Sequence, residues 1–177
     1  LVGYLKALAE GCRVMISIDD DNFPIDDDDF IGMHGKTGEA YAGQTINEAS
    51  GFHNVCENIT FEPSRKIFAR GFPFLLRDTD NKPTFTQAPA GARIGVTAGL
   101  WMMAPDVDAT TWLNGNVVGT GYTGPERFVL NQTTWSPVNS QNTAVLRELM
   151  PIPLFIPMDW PIAGGKMHRY SDIFGGY

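Results

Sequence analysis

The stretch Ile16-Ser17-Ile18-Asp19-Asp20-Asp21-Asn22 decides the predicted fold, because a short apolar run leads directly into three carboxylates. Residues 1–10 carry apolar side chains at helical spacing and end at Gly11, which predicts a helix before a strand over residues 13–18. A helix followed by such a strand is typical of an α/β protein with a mainly parallel sheet. Open α/β folds bind ligands at the carboxyl ends of their strands, so the three acids are predicted to lie at a ligand site.

The three adjacent carboxylates favour a bound cation. Like charges raise one another's pKa and destabilise the folded protein unless a cation compensates them. Oxygen ligands of this kind suit Mg²⁺ or Mn²⁺, and Mg²⁺ is commonly shared between carboxylates and the phosphates of a substrate. The alternative is a polar turn after a buried strand, with no ligand.

Composition narrows the class of protein. The chain has 177 residues, 43% hydrophobic and 19% charged, as expected of one folded domain. Its net charge of −7 argues against nonspecific binding of nucleic acid, but a metal and a few arginines could still hold a phosphate-bearing substrate locally. Cys12 and Cys56 fit neither a metal motif nor a disulfide framework, so we expect a reducing compartment and two small core residues.

The sequence predicts no membrane span and no signal peptide, because no apolar run reaches the length of about 18 residues that a spanning helix needs. We therefore expect a cytoplasmic protein, with the cytosolic face of the Golgi or of another membrane as the alternative location. A second acidic run, Asp26 to Asp29, follows in a predicted loop or helix start. It lacks the spacing and the turn glycine of a calcium loop, so a solvated or helix-capping role is favoured over calcium binding.

The rest of the chain predicts short elements within one domain that spans residues 1–177. Because the chain opens inside a helical pattern, we expect upstream sequence, including the first strands of the sheet, to be missing. A Gly and a Pro within residues 66–77 disfavour a regular helix there. The remaining predictions are strands near 40–46 and 58–62, a loop-like insertion over 78–93, a strand within 94–103, an irregular connection over 104–125, a turn or strand end followed by a short helix over 138–151 that Pro151 ends, and a helix start at Tyr170 or Ser171.

Five blocks of sequence stand in a characteristic order. They are ISIDDDNFP (16–24), ARGFPFLLR (69–77), VTAGLWMMAPDVDA (96–109), NSQNTAVLRELMP (139–151) and HRYSDIFGGY (168–177). Taken in this order, they resemble the reversibly glycosylated polypeptide family, which includes the UDP-arabinopyranose mutases of plants, and the likeness runs from Gly3 to Tyr177. The resemblance implies a GT-A type glycosyltransferase fold, which is a Rossmann-like mixed sheet flanked by helices that binds a nucleoside diphosphate sugar through a divalent metal.

The resemblance also implies roles for single residues. The acid triplet corresponds to the family's DXD site for metal and nucleotide sugar. Arg70 aligns with the arginine that the family associates with reversible attachment of a sugar. In the last block Asp172 corresponds to the second acid of the family's RYDDMWAG, while Ser171 replaces the first. This departure, the second acidic run and the long 78–93 segment favour a divergent member.

We predict the following assignment. Asp19 and Asp21 bind Mn²⁺ or Mg²⁺, and Asp20 orients the ribose or a group that contacts the metal ligands. Asp172 acts as a general base or as an electrostatic partner of the oxocarbenium ion, the alternative being a helix-capping carboxylate. Arg70 is catalytic. Arg77 and Arg169 are further candidates, because a guanidinium group can bind two phosphate oxygens at once, the alternative being a surface ion pair. Gly99 permits close approach of a substrate. His168 is an additional candidate metal ligand, the alternative being an exposed histidine with no such role.

The function predicted first is a metal-dependent glycosyltransferase that acts on a nucleoside diphosphate sugar, with UDP expected, and on a glycan or protein acceptor in polysaccharide biosynthesis. The close alternative is a nucleotide-sugar mutase or self-glycosylating protein that uses the same site. An alternative of another class is a noncatalytic acidic metal-binding module. The oligomeric state is open, and a homo-oligomer is compatible with every one of these.

Overall fold

A computed structural model describes residues 2–25, 29–80, 82–125, 127–150 and 161–166. Over these residues the protein has a mixed α/β fold with several small sheets and few helices. The helices are α1 Val2–Ala9, α2 Phe30–His34 and α3 Ala109–Leu113. The strands are β1 Val14–Ile18, β2 Gln44–Asn47, β3 Ile59–Glu62, β4 Thr84–Gln87, β5 Val96–Ala98, β6 Val118–Tyr122, β7 Val129–Leu130, β8 Asn142–Leu146, β9 Pro161–Ile162 and β10 Gly165–Lys166.

The chain folds into two compact units. The first unit comprises Leu1–Tyr41, Gly91–Gly99 and Val138–Tyr177, and the second comprises Ala42–Ala90 and Leu100–Pro137. In the part of the chain that the structure describes, no helix has the length and apolar character needed to cross a membrane.

The first unit is organised around an antiparallel sheet in the order β1-β8-β5. Val14 pairs with Leu146 and Ile18 with Asn142, while Val96 pairs with Val145 on the other side of β8. As the central strand, β8 is buried at four of its five positions. The predicted helix at the start of the chain and the strand that follows it are confirmed as α1 and β1, but β1 pairs antiparallel and not within a mainly parallel sheet.

The turn or strand end followed by a short helix that was predicted over 138–151 is present, but the strand is longer than expected and the helix is a single 3₁₀ turn. Residues 142–146 form β8, and only Arg147–Leu149 make a 3₁₀ turn. Single-sequence helix propensity is a weak influence that tertiary burial overrides, and here Thr143 and Val145 are buried as part of a central strand. The strand predicted within 94–103 is confined to β5.

The second unit contains a three-stranded sheet and a separate strand pair. In the sheet, β2 lies between β4, which is antiparallel to it, and β7, which is parallel to it. The pair β3–β6 is antiparallel, with an irregular register between Thr60 and Phe61. The segment 78–93, predicted as a loop-like insertion, contains β4, and the segment 104–125, predicted as an irregular connection, contains α3 and β6. The core of this unit consists of Val55, Cys56, Ile59, Phe61, Ile67, Ala69, Val107 and Val117.

The two cysteines differ in their surroundings. Cys56 is buried in the core of the second unit, as predicted, whereas Cys12 is exposed in the connection between α1 and β1. The prediction of a core position for Cys12 is therefore wrong. A connection between a surface helix and a strand leaves a small residue accessible even where the flanking pattern is apolar.

Candidate functional site

The acid turn, Asp19 to Asn22, directly follows β1 in the first unit. Its backbone closes when the Asn22 N–H donates to the Asp19 carbonyl at 3.2 Å. The carbonyl of Gln141 then accepts two further hydrogen bonds, from the Asp19 N–H at 2.9 Å and from the Asn22 side-chain amide at 2.7 Å. The turn is thereby held against the residue that precedes β8, and all three carboxylates are exposed to solvent.

The donor chemistry of the acid turn suits a hard cation, because Mg²⁺ and Mn²⁺ take carboxylate oxygens and keep several water ligands. Within the described ranges, no group of three or more His, Cys, Asp or Glu residues is arranged to enclose a metal ion. The predicted ligand His168 lies outside those ranges. The metal ligands Asp19, Asp21 and His168 and the ribose contact of Asp20 therefore stay predictions.

A buried polar network connects α2 with β5 and β8 in the first unit. His34 is 4% exposed, and its Nε2 lies 2.7 Å from Asn142 Oδ1 while its Nδ1 lies 2.8 Å from the Thr97 hydroxyl. Since an amide oxygen only accepts, Nε2 carries the proton and donates. The Thr97 hydroxyl in turn lies 2.9 Å from that of Thr37. Asn142 adjoins Gln141, so the network fixes the strand end that anchors the acid turn.

Gly99 contacts the same strand end. Its N–H donates to the Asn142 carbonyl at 2.9 Å. A Cβ at this position would lie 1.9 Å from Asn142 Nδ2, so the Asn142 side chain occupies the space that any larger residue would need. The structure thus gives Gly99 a packing role, and its predicted contact with substrate stays a prediction.

The arginine segment, Lys66 to Arg77, belongs to the second unit. Arg70 Nε lies 2.8 Å from Asp106 Oδ1, and the side chains of the two residues are 19% and 14% exposed. The Arg70 N–H also donates to the Asp106 carbonyl at 3.0 Å, next to a β-bridge between Ala69 and Val107. The backbone and the side chain of Arg70 therefore both bind it to the segment that precedes α3.

Arg77 is held by Asp108, which lies two residues after Asp106 in the segment that precedes α3. Its Nη2 donates to Asp108 Oδ2, and its guanidinium lies over the rings of Phe68 and Phe74, at 5.1 and 4.3 Å from their centroids. Asp108 is also the N-cap of α3, where its Oδ1 accepts from the Thr111 N–H at 2.8 Å. Burial would raise the pKa of Asp108, but the hydrogen bonds from Thr111 and Arg77 outweigh it and lower the pKa.

Sequence analysis missed a buried acid and histidine in the second unit. Glu48 directly follows β2, and its Oε1 lies 2.8 Å from His53 Nδ1, with the two side chains 1% and 3% exposed. These residues stand in a polar, glycine-bearing segment that gives no motif and no clear periodicity. No signal in the sequence marks them as buried partners.

The structure therefore describes part of the predicted site in each unit. The acid turn and Gly99 lie in the first unit, and Arg70 and Arg77 lie in the second. Asp172, Arg169 and His168 lie outside the described residues, as do Asp26 to Asp28, so their roles stay predictions. Asp29 caps α2, since its Oδ1 accepts from the Gly32 N–H at 2.9 Å, which agrees with the predicted capping role of the second acidic run.

Comparison with curated proteins relates the chain to mutases of UDP-sugars, and no protein-family model matches it. The chain is 28% identical to UDP-arabinopyranose mutase 1 of Oryza sativa subsp. japonica, over 88% of this chain and 40% of the rice protein. It is also 28% identical to probable UDP-arabinopyranose mutase 4 of Arabidopsis thaliana, over 94% of this chain and 44% of that protein, and to probable UDP-arabinopyranose mutase 1 of Zea mays, over 88% and 40%.

These matches confirm the resemblance that the five sequence blocks indicate. The chain spans less than half the length of the curated relatives it matches. The relatives named as mutases are enzymes, which agrees with the predicted class of catalytic protein.

Proposed function

We propose that this chain is the nucleotide-sugar-binding part of a mutase that acts on a UDP-sugar, built on a GT-A type Rossmann-like sheet. The observation that carries the proposal is the likeness to UDP-arabinopyranose mutases over most of the chain. The exposed acid turn at the end of β1 supports it, because carboxylate oxygens suit a divalent cation that is shared with the phosphates of a nucleotide. The mutase reading accounts for these relatives better than a glycosyltransferase that serves a glycan or protein acceptor.

In this proposal Asp19 and Asp21 hold the metal, Asp20 orients the ribose, and Arg77 with Arg169 contacts the diphosphate. A bound Mn²⁺ or Mg²⁺ would supply stabilisation of the charge that grows on the diphosphate as it leaves. Asp19, Asp20 and Asp21 are all exposed to solvent, which supports access of such a ligand to the turn.

Arg70 would receive the sugar. The bond from the anomeric carbon to the diphosphate oxygen breaks, UDP leaves with the electron pair, and a bond forms to a guanidinium nitrogen. The guanidinium must lose a proton in this step, and Asp106 Oδ1, 2.8 Å from Arg70 Nε, is positioned to accept it. Because an arginine side chain stays charged in a protein, the proton leaves as the carbon–nitrogen bond forms, and the product is a glycosylated guanidinium that keeps one positive charge.

The experiment is incubation of the whole chain with UDP-arabinopyranose, radiolabelled in the sugar, and MnCl₂, followed by separation of protein and nucleotide sugars. We expect a ring-contracted nucleotide sugar and label on the protein that a chase with unlabelled UDP removes. Asp19→Asn with Asp21→Asn, and separately Arg70→Lys, should abolish both signals. Asp80→Asn is the matched control, because Asp80 is 88% exposed and its ion pair with Lys82 is long, at 4.0 Å.

Other distributions of label identify the competing functions. Label that reaches an added glycan or protein acceptor, without a ring-contracted product, would identify a glycosyltransferase. Calcium binding that survives Asp19→Asn with Asp21→Asn but is lost when Asp26 to Asp29 are neutralised would identify an acidic binding module. Absence of both turnover and calorimetric binding of UDP-sugars would contradict every nucleotide-sugar function.

A further inference from the structure

Two arginine side chains meet at a glycine turn in the first unit. Arg13 directly precedes β1, and Arg93 lies in the segment that leads to β5. A Cβ built on Gly38 would lie 3.1 Å from Arg13 Nη1 and 3.8 Å from Arg93 Nη2. We call these two guanidinium groups the arginine pair. They come from separate segments of the chain and reach the same small region.

The turn at Gly38 is shaped to receive the arginine pair. Gly38 has a φ of +92°, in the left-handed region that favours glycine, and a Cβ there would also lie 2.9 Å from Leu146 Cδ1. Its carbonyl accepts a hydrogen bond from Arg93 Nε at 3.2 Å, and its N–H donates to the Ile94 carbonyl at 2.6 Å. The Arg93 side chain is therefore fixed on the backbone through Nε, and this contact leaves its two terminal nitrogens for another partner.

No carboxylate neutralises the arginine pair among the residues that the structure describes. The acids that stand next to these segments pair with lysines instead. Glu10 lies 2.6 Å from Lys6 Nζ, and Glu39 lies 3.0 Å from Lys36 Nζ. In a chain of net charge −7, such a group of arginines is a local excess of positive charge that attracts anions.

A third arginine increases this excess at the same end of the sheet. The Arg147 N–H donates to the Arg13 carbonyl at 2.8 Å, which continues the pairing of β1 with β8 beyond Val14 and Leu146. The side chains of Arg13, Arg93 and Arg147 are all exposed, so an anion can reach them. The five residues of β1, about 17 Å of strand, separate this end from the acid turn. The arginine pair is therefore distinct from the predicted metal site.

We propose that the arginine pair binds a phosphate group, either free in solution or on a lipid headgroup. Like charges held close together repel, and an anion placed between them removes that cost. A phosphate group carries about two negative charges near neutral pH and several acceptor oxygens, so it can accept from both guanidinium groups at once. A carboxylate has less charge and fewer oxygens to share between two arginines. This site goes beyond the proposed mutase function and does not depend on it.

The test is a titration of the ¹⁵N-labelled whole chain with sodium phosphate at neutral pH, followed by ¹H–¹⁵N correlation spectra. Sodium chloride and sodium acetate at equal ionic strength are the reference titrations. We expect the Gly38 amide and the Arg93 Nε–H signals to shift and saturate with phosphate, and to shift little with either reference salt. No divalent metal is added, so the acid turn has no means of holding phosphate. The result is therefore independent of UDP-sugar binding.

Three variants separate a site from a diffuse field. Arg13→Gln and Arg93→Lys should each weaken phosphate binding about tenfold, because each loses hydrogen bonds to a charged ligand. Lys36→Gln removes one positive charge from an exposed side chain near the same turn, and it should bind phosphate like the wild type. An equal loss in Lys36→Gln, or wild-type shifts with chloride as large as those with phosphate, would overturn the proposal.

A second arm identifies the source of the phosphate group. The chain is sedimented with vesicles of phosphatidylcholine, with and without phosphatidic acid. Retention that requires phosphatidic acid and is lost in Arg13→Gln would assign the site to a lipid headgroup. Saturable binding of inorganic phosphate without such retention would assign it to a soluble phosphate. If neither is observed, the proposal is wrong.

Discussion

Asp108→Ala tests how the arginine segment is held, because one carboxylate serves two elements. Asp108 caps α3 through Thr111 and pairs with the Arg77 guanidinium. The two side chains are 20% and 16% exposed, so the ion pair is only partly screened by water. Arg77 Nε is buried without a partner among the described residues, which makes the contact through Nη2 more important for this guanidinium.

The expected loss can be built from these contacts. Replacing an N-cap Asp by Ala costs about 1 kcal/mol. A hydrogen bond to a charged group contributes about 1.5–3 kcal/mol, and partial exposure places this pair toward the lower end. Asp108→Ala should therefore lower the free energy of unfolding by about 2–4 kcal/mol. Asp108→Asn keeps a good cap but removes the charge, so its loss should be about half as large.

The measurement is urea unfolding at neutral pH, with Asp80→Ala as the control because Asp80 is 88% exposed. The control should stay within about 0.5 kcal/mol of the wild type. An Asp108→Ala loss as small as that of the control would refute the reasoning. An Asp108→Asn loss equal to that of Asp108→Ala would show that the cap contributes nothing.

The pH dependence gives an independent check. The pKa of Asp108 is lowered in the folded protein, so its stabilising effect is complete above the ordinary carboxyl pKa of about 3.9. That effect is lost as the pH falls through the lowered pKa. The difference in the free energy of unfolding between the wild type and Asp108→Asn should therefore shrink steadily as the pH falls below about 3.9. A difference that stays constant into strong acid would contradict the pairing with Arg77.

Two further comparisons set one glycine against another and one cysteine against another. Gly99→Ala should destabilise the protein by about 1–3 kcal/mol, since the new carbon would lie 1.9 Å from Asn142 Nδ2. Gly3→Ala in α1, where nothing lies within 4 Å, should instead stabilise it by about 0.5–1 kcal/mol. Equal changes of the two variants in urea unfolding would contradict this difference. A thiol reagent at pH 8 should label Cys12 in the native protein, whereas Cys56, whose pKa burial raises to about 12, should react only after unfolding. Equal rates of labelling in the native protein would contradict the burial of Cys56.

Local patterns in the sequence predict the beginning of the chain well. The helix before the first strand and the strand that ends in acids are both present, as α1 and β1. These elements depend on periodicity and on a C-terminal glycine, which act over a few residues. The full extent of β8 could not be predicted in this way. The sequence indicates only a turn or strand end before a short helix, and the position of this segment between β1 and β5 makes residues 142–146 a central strand.

The contacts around the candidate site residues are mostly nonlocal, which explains why sequence reasoning stops at the residue types. The Arg70–Asp106 pair joins positions 36 residues apart, and the Arg77–Asp108 pair joins positions 31 residues apart. Sequence analysis marked both arginines for a substrate and weighed surface ion pairs as the alternative. Their partial burial against two aspartates and two phenylalanine rings is a property of the folded unit, and no spacing rule contains it.

The acid turn itself is specified at long range, although its three carboxylates are adjacent in the sequence. The Asn22 side chain bonds to Gln141, 119 residues later, and the first unit is assembled from three separated segments. The hydrogen bonds that hold the turn to Gln141 therefore form only when β8 joins β1, after the intervening chain has closed a long loop at an entropic cost. His34 and Gly99 both contact Asn142 at that strand end. Substitutions there would alter the presentation of the acids without touching a carboxylate, so the predicted metal affinity of the turn depends on residues that a motif search would never select.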